Sequence, residues 1–297
     1  MRSTSIVALV VTTLAACGPS DTADRYLGRT GDAIVGGETF VGLPAVGALV
    51  YFGNMHCTAT VIAPKKLLTA AHCVDGISAS GLQFVIGPSL GNVQSVVAVE
   101  SVTPHPGYNP STIANDIAFV TLKTPAPVEP MPVVTALGPN NVGDELIFVG
   151  YGASNGFQQS GSGIKRAVTM QLAQLGSTTF AYSDQGKNTC NGDSGGPAFL
   201  QQNGELFIAG VTSYGDQFCA QYGVDTRVDT YLDFLGVFED SPTDDIADPC
   251  GGETFTGRCD GNTVVWCENQ EVKSGDCTPH GKTCGFNDSK GYFDCQD

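Results

Sequence analysis

The sequence predicts an all-β protein, a sandwich or barrel, with a small disulfide-stapled appendage at its C-terminal end. Three observations predict it. Short apolar runs recur through the middle of the chain (VGALVYF, TATVIA, LQFVIG, VVAVESV, DIAFVTL, ELIFVGYG, AVTMQLAQL), punctuated by turn residues and without intervening helices. Glycine is abundant, at 38 residues, and charged residues make up only 15%, a turn-rich composition. Finally, Cys250, Cys259, Cys267, Cys277, Cys284 and Cys295 crowd the end of the chain.

Taken in order, the chain opens with MRSTSIVALVVTTLAAC. One arginine, an apolar run from Ile6 to Leu14 and small residues after it read as a secretory signal over residues 1–16. The run is too short to span a bilayer as a permanent helix. Leu14-Ala15-Ala16-Cys17 resembles the lipobox of bacterial lipoproteins, in which the cysteine is lipidated and becomes the new N-terminus. Ordinary cleavage after Ala15 or Ala16 is the alternative. Eleven cysteines are an odd number for an exported chain, and setting Cys17 aside leaves ten that can pair. Residues 17–33 carry no apolar periodicity and read as an exposed pro-segment.

The apolar runs follow from Ile34 to Phe238, and the Asn-Gly of QQNGEL marks a tight hairpin among them. Only residues 228–238 have helical spacing, with Val228, Leu232, Leu235 and Phe238 apolar. Residues 239–249 form an acidic, proline-containing linker, and 250–297 a six-cysteine module too small to fold without staples. It has no Cys-x-x-Cys pair, so disulfides are expected over zinc, and no metal or cofactor is expected anywhere. Their connectivity stays open. A net charge of −16 argues against nucleic-acid binding.

The chemistry centres on NTCNGDSGGPAF, residues 188–199. A serine hydroxyl is a weak nucleophile and needs a base, a group that orients the base, and donors for the developing oxyanion. Gly192 leaves an N–H open beside that of Ser194, while Gly195 and Gly196 allow a tight turn behind the nucleophile. Of the four histidines, His105 sits in a proline-bounded turn and reads as a surface residue, and His280 lies in the tail. His72, in LLTAAHC, is tied by an adjacent cysteine. Asp116 enters an apolar run in NDIAFV, where a buried acid needs a partner that His72 supplies.

TAAHC, NDIAFV and GDSGGP, in that order with IVGG upstream, resemble the trypsin/chymotrypsin family of serine endopeptidases over residues 34 to about 238. The resemblance implies two packed six-stranded antiparallel β-barrels, a C-terminal helix, and a catalytic cleft between them. It assigns Ser194 as nucleophile, His72 as general base and acid, Asp116 as the orienting acid, and Gly192 and Ser194 as oxyanion-hole donors. Ser213, Tyr214 and Gly215 match the segment that pairs with substrate backbone, and Cys57–Cys73 and Cys190–Cys219 match two family disulfides. It also implies a zymogen, in which the freed amine of Ile34 pairs with Asp193. The bond to be cut follows Asp32-Ala33, so a trypsin-like activating protease is not expected there, although Arg29 offers a nearby nick.

Two departures stand out. Cys57-Thr58-Ala59-Thr60 replaces the usual Cys-Gly-Gly-Ser, and His56 precedes Cys57, where a packed bystander is expected over a substrate contact. In the side-chain pocket, neutral Asn188 takes the position that sets charge, and glycine at 215 and 223 leaves room for a large residue. An uncharged or aromatic residue before the scissile bond is therefore expected. The alternative is arginine or lysine, attracted by Asp225, where relatives usually carry tyrosine, or by Asp216 at the pocket mouth.

The expected function is a secreted or surface-anchored peptidase acting on protein or peptide substrates. If Cys17 carries lipid, it anchors the precursor to a bacterial envelope and cleavage at Ile34 frees the enzyme. A catalytically silent adhesin acting through the tail is the competing reading.

Overall fold

The computed structural model describes residues 37–184, 186–236, 257–268, 271–287 and 292–296. The signal sequence, Cys17, the pro-segment, Ile34, the linker and Cys250 lie outside them. The chain divides into two compact units, Met1–Asp240 and Ser241–Asp297.

In the first unit a short strand β1 (Glu38–Thr39) precedes β2 (Val46–Tyr51), β3 (Asn54–Ala63), β4 (Lys66–Thr69), β5 (Leu82–Ile86), β6 (Ser95–Pro104) and β7 (Ala118–Leu122). The last six close into an antiparallel barrel in the order β2-β3-β4-β7-β6-β5. A second ring follows: β8 (Glu145–Gly150), β9 (Arg166–Leu175), β10 (Thr179–Tyr182), β11 (Pro197–Gln202), β12 (Glu205–Gly215) and β13 (Gly223–Arg227). Pairing of β8 with both β9 and β11 closes it, and β1 adds to β9 from outside. Closure gives every strand of both barrels two neighbours and leaves only short stretches unpaired. The hairpin between β11 and β12 turns at Asn203 (φ 51°) and Gly204 (φ 87°), the two left-handed residues a tight two-residue turn requires.

The strands at the junction explain why ELIFVG is apolar without interruption. Leu146 and Phe148 of β8 face the core of their own barrel, with Val168, Met170, Leu172 and Leu200. Ile147 and Val149 belong instead to the larger cluster that holds Leu49, Val61, Phe84 and Val120 of the first barrel. Phe199 and Ile208 join it from β11 and β12. A strand buried on both faces has no polar face to alternate with.

The helical segment is shorter than its spacing suggests. A 3₁₀ turn over Asp229–Tyr231 runs into α1 (Leu232–Leu235), which Gly236 ends in a left-handed conformation (φ 61°). Leu235 is fully buried and its carbonyl accepts from Lys66 Nζ at 2.9 Å. His105 is not a plain surface residue: its ring packs edge-on against Tyr231 and Phe234, 5.1 and 4.8 Å between centroids, where burial lowers its pKa.

In the second unit β14 (Arg258–Asp260), β15 (Thr263–Glu268) and β16 (Glu271–Asp276) form one antiparallel sheet, and β17 (Thr283–Asn287) with β18 (Tyr292–Gln296) a hairpin. Disulfides Cys259–Cys284 and Cys277–Cys295 staple them, and Cys267 is disulfide-bonded as well. Among the described residues, Val264 and Cys277 are the buried apolar side chains of this unit, which is too few to hold it without the staples.

A buried lysine marks the first unit. Lys165 is 1% exposed and pairs with no carboxylate among the described residues; its Nζ donates to the carbonyls of Gly42 and Leu43 at 3.2 and 3.1 Å and lies 5.7 Å over the Tyr151 ring. Burial lowers its pKa to about 8. The folded state therefore prefers the neutral amine, while the unfolded chain holds the proton up to the ordinary lysine range. Stability should rise with pH from about 8 to about 10, by an amount on the order of 2 kcal/mol. Urea titrations across that window in a Ser194→Ala background, which prevents self-digestion, should show the rise, and Lys165→Met should abolish it.

Candidate active site

The nucleophile loop is fixed from both barrels. The Ser194 carbonyl accepts from Thr58 N of β3 at 2.9 Å, and Gly195 N donates to Thr212 O of β12 at 2.8 Å. Gly195 sits at φ 78°, and a Cβ there would lie 2.1 Å from Thr69 Oγ1 and 2.5 Å from the Thr58 carbonyl. A Cβ on Gly196 would meet the carbonyls of Asp193 and Val149 at 2.7 and 2.8 Å. Both glycines are thus demanded by close backbone approach. Cys190–Cys219 ties the start of this loop to the segment after β12, and Cys57–Cys73 ties β3 to the 3₁₀ turn Ala71–Cys73.

That turn presents His72. Asp116, just ahead of β7, has no exposed surface. Its Oδ1 accepts from the backbone N of His72 at 2.8 Å, and its Oδ2 pairs with His72 Nδ1 at 2.7 Å. Ser213 Oγ donates to the same Oδ2 at 2.5 Å. With Nδ1–H committed to the carboxylate, the Nε2 lone pair is left to take a proton. His72 and Ser194 line one cleft of about 370 Å3. His56 stands apart, its Nε2 on the Cys73 carbonyl at 2.8 Å. Among the described residues, Cys57, His72 and Cys73 are the one group close enough to suggest a metal, but both sulfurs are spent in the disulfide.

Gly192 adopts φ 100°, open to glycine and little else. Its carbonyl accepts from Thr58 Oγ1 at 2.8 Å, and that same hydroxyl accepts from Tyr151 N at 3.1 Å. Thr58 thus bridges the first barrel, the Gly192 loop and the segment after β8, a role the sequence flags only as a departure. Beside it, Asp193 is buried in a cradle made by two glycines. A Cβ on Gly150 or Gly152 would come within 2.2 or 2.4 Å of its oxygens. Gly152 N and Cys190 N donate to it at 2.7 and 2.8 Å. Burial still wins over these donors and the nearby Arg166, and pushes its pKa up to about 6.

The expected pocket residues are placed less simply. Asn188 is buried, and its amide is spent: Nδ2 donates to the Tyr222 carbonyl at 3.0 Å and to Asp216 Oδ1 at 3.4 Å, while Oδ1 accepts from Thr189 N. Asp216 accepts from the amides of Phe218, Ala220, Gln221 and Tyr222. Slight burial raises its pKa, the amides more than offset this, and the net shift is downward. Its charge therefore serves the loop. The vacancy at Gly223 is not open either, because a Cβ there would lie 2.4 Å from the ring of Tyr182. Gly215 answers to close approach in the same way, with the Tyr222 carbonyl 2.7 Å from where its Cβ would be. Asp225 is fully buried, with neither oxygen in a hydrogen bond of normal length; the hydroxyls of Tyr182 and Thr212 face it. Burial holds its carboxyl well above the usual range. Pairing of β11 with β12 ends at Pro197 opposite Val211, so Ser213, Tyr214 and Gly215 run on without a β11 partner.

The Trypsin family profile matches residues 34–235. Trypsin alpha of Drosophila melanogaster is 30% identical over 254 residues, spanning 79% of this chain and 92% of its own. Trypsin of Saccharopolyspora erythraea is 30% identical over 202 residues, 62% of this chain and 86% of its own. Complement C1s subcomponent of Sus scrofa is 30% identical over 224 residues, but the match spans only 32% of its length, and for Phenoloxidase-activating factor 3 of Holotrichia diomphalia the share is 62%. Two closed six-stranded barrels with a serine, a histidine and a buried aspartate at one cleft define the class of serine endopeptidases. The chain belongs to the trypsin family.

Removing the Thr58 hydroxyl should loosen the Gly192 loop without touching substrate. Thr58→Val is expected to lower kcat about 5- to 10-fold with little change in KM, the worth of roughly one hydrogen bond. Thr58→Ser should restore most of the loss in steady-state assays on a small peptide ester.

Proposed function

We propose that this chain is an exported serine endopeptidase, made as a zymogen, that hydrolyses peptide bonds through an acyl-enzyme. The observation that carries the reading is the Asp116–His72 pair in the cleft that Ser194 lines. His72 Nε2 takes the Ser194 Oγ proton as that oxygen attacks the substrate carbonyl. The tetrahedral oxyanion lies against the N–H groups of Gly192 and Ser194. His72 then returns the proton to the leaving amine, and water repeats the sequence on the acyl-enzyme. Asp116 keeps Nδ1 protonated and offsets the charge His72 gains. The unpaired edge of β12 at Ser213–Gly215 receives substrate backbone as an added strand.

Activation follows from Asp193. Its buried carboxylate sits between two glycines with amide donors but with its pKa raised, and the α-amine of Ile34 freed by cleavage is the cation that offsets this. Pairing there fixes the loop that carries Gly192. Lipidation at Cys17 would hold the precursor at a bacterial envelope, and cleavage before Ile34 would release the enzyme, since Cys57–Cys73 and Cys190–Cys219 of the first unit pair with each other. The neutral Asn188 amide and the amide-saturated Asp216 favour an uncharged residue before the scissile bond.

Protein whose chain begins at Ile34 should react with a serine-directed fluorophosphonate, and Ser194→Ala should not. Peptide hydrolysis should fall at least about 10⁴-fold in Ser194→Ala and a similar amount in Asp116→Asn. A wild-type protein, processed and folded, that stays unlabelled would sink the reading in favour of a binding protein. Mass spectrometry of labelled enzyme should find Ile34 at the new N-terminus, and the Asp193 carboxyl should titrate near pH 6 in the precursor and below that after cleavage. Because the tail is a separate compact unit, deleting residues 241–297 should leave hydrolysis of small peptides within about twofold of the full chain.

A further inference from the structure

Resting on the endopeptidase reading above, we propose that Tyr182 fills the space behind Thr189 at the base of the side-chain pocket and closes it to aromatic, lysine and arginine residues. The enzyme then cleaves after small and medium uncharged side chains such as alanine, valine and threonine.

Four observations meet here. The cleft is lined by Thr189, Cys190, Thr212, Ser213, Gly215 and Asp216 among others, while Asn188, Gly223, Asp225 and Tyr182 itself lie behind that lining. The Tyr182 hydroxyl bonds Thr189 Oγ1 at 2.6 Å, so the tyrosine tip is fixed directly beneath a lining residue. The ring also takes the space that glycine leaves at 223, with three of its atoms 2.4–2.5 Å from where a Cβ would be. Finally, Tyr182 cannot swing away: it has no exposed surface, its ring packs at a tilt against Phe148 with 4.3 Å between centroids, and β10 pairs it opposite Gly223.

Asp225 completes the arrangement from below. It is fully buried, its oxygens lack hydrogen bonds of normal length, and the hydroxyls of Tyr182 and of the lining residue Thr212 face it. A basic side chain would need to displace Thr212 or the phenol to reach it. Tyrosine at 182 and aspartate at 225 are therefore read as a pair, one blocking and one buried. The chain supplies a substrate of the predicted size. Ala33 precedes the activation bond, so processed enzyme should cut its own precursor there.

The test is a peptide library varied at the residue before the cut, offered to full-length protein processed to begin at Ile34. Alanine, valine and threonine should exceed phenylalanine, tyrosine, lysine and arginine by at least about tenfold in kcat/KM. Tyr182→Ala should raise phenylalanine and lysine cleavage at least about tenfold. Adding Asp225→Asn to it should remove the gain for lysine and keep that for phenylalanine. Tyr182→Phe, which keeps the ring, should retain the wild-type size preference. Precursor carrying Ser194→Ala should be cut before Ile34 by catalytic amounts of processed wild type. If Tyr182→Ala does not fold, the wild-type profile decides alone: an active enzyme that prefers aromatic, lysine or arginine residues overturns the closed pocket while leaving the endopeptidase reading intact. Protein that cleaves nothing and takes no fluorophosphonate overturns both.

Discussion

The carboxylate of Asp116 is the interaction on which the rest depends. A charged group with no exposed surface is tolerated only where donors replace its water. Here they come from opposite sides of the junction: the backbone N and Nδ1 of His72 from the first barrel, and Ser213 Oγ from β12 of the second. Thr226 Oγ1 of β13 holds the Asp116 carbonyl at 2.9 Å. The site therefore exists only while the barrels are docked. The apolar cluster running from Leu49 and Phe84 to Val149, Phe199 and Ile208 supplies that docking, and each fully buried side chain in it is worth roughly 1.5–3 kcal/mol. Core and catalysis share one interface.

Three buried aspartates in this unit meet three fates, and the contrast says what each is for. Asp116 has a full set of donors and orients an imidazole. Asp193 has two amides, and burial still keeps its pKa raised. Asp225 has no bond of normal length, and burial holds its carboxyl well above the usual range as it faces the phenol of Tyr182 rather than solvent. Burial is the same for all. What differs is the number and charge of the groups brought to each.

The barrels were legible because their strands announce themselves by apolar runs and turn residues, and the nucleophile loop because its glycines are forced by contacts under 3 Å. Helix length was less so. Gly236 stops α1 after one turn although Phe238 keeps the spacing, since a left-handed glycine ends a helix whatever follows. His105 looked like a surface residue because proline brackets it, but its neighbours Tyr231 and Phe234 arrive from more than a hundred positions away. Thr58 was visible only as an oddity for the same reason: its partners, Gly192 and Tyr151, are distant in sequence.

The pocket shows why reading single positions misleads. Glycine at 223 suggests space, and asparagine at 188 suggests a neutral floor, each considered alone. Yet β10 lies beside β13, with Tyr182 opposite Gly223 and Phe180 opposite Asp225. The volume missing from one strand is filled from its neighbour, and the phenol reaches Thr189 across the gap. Thr189, at the cleft, thus rests on a tyrosine from β10 that occupies the space left by a glycine on β13. What lies behind the cleft therefore follows from the pair of residues facing each other across the ladder and not from either one.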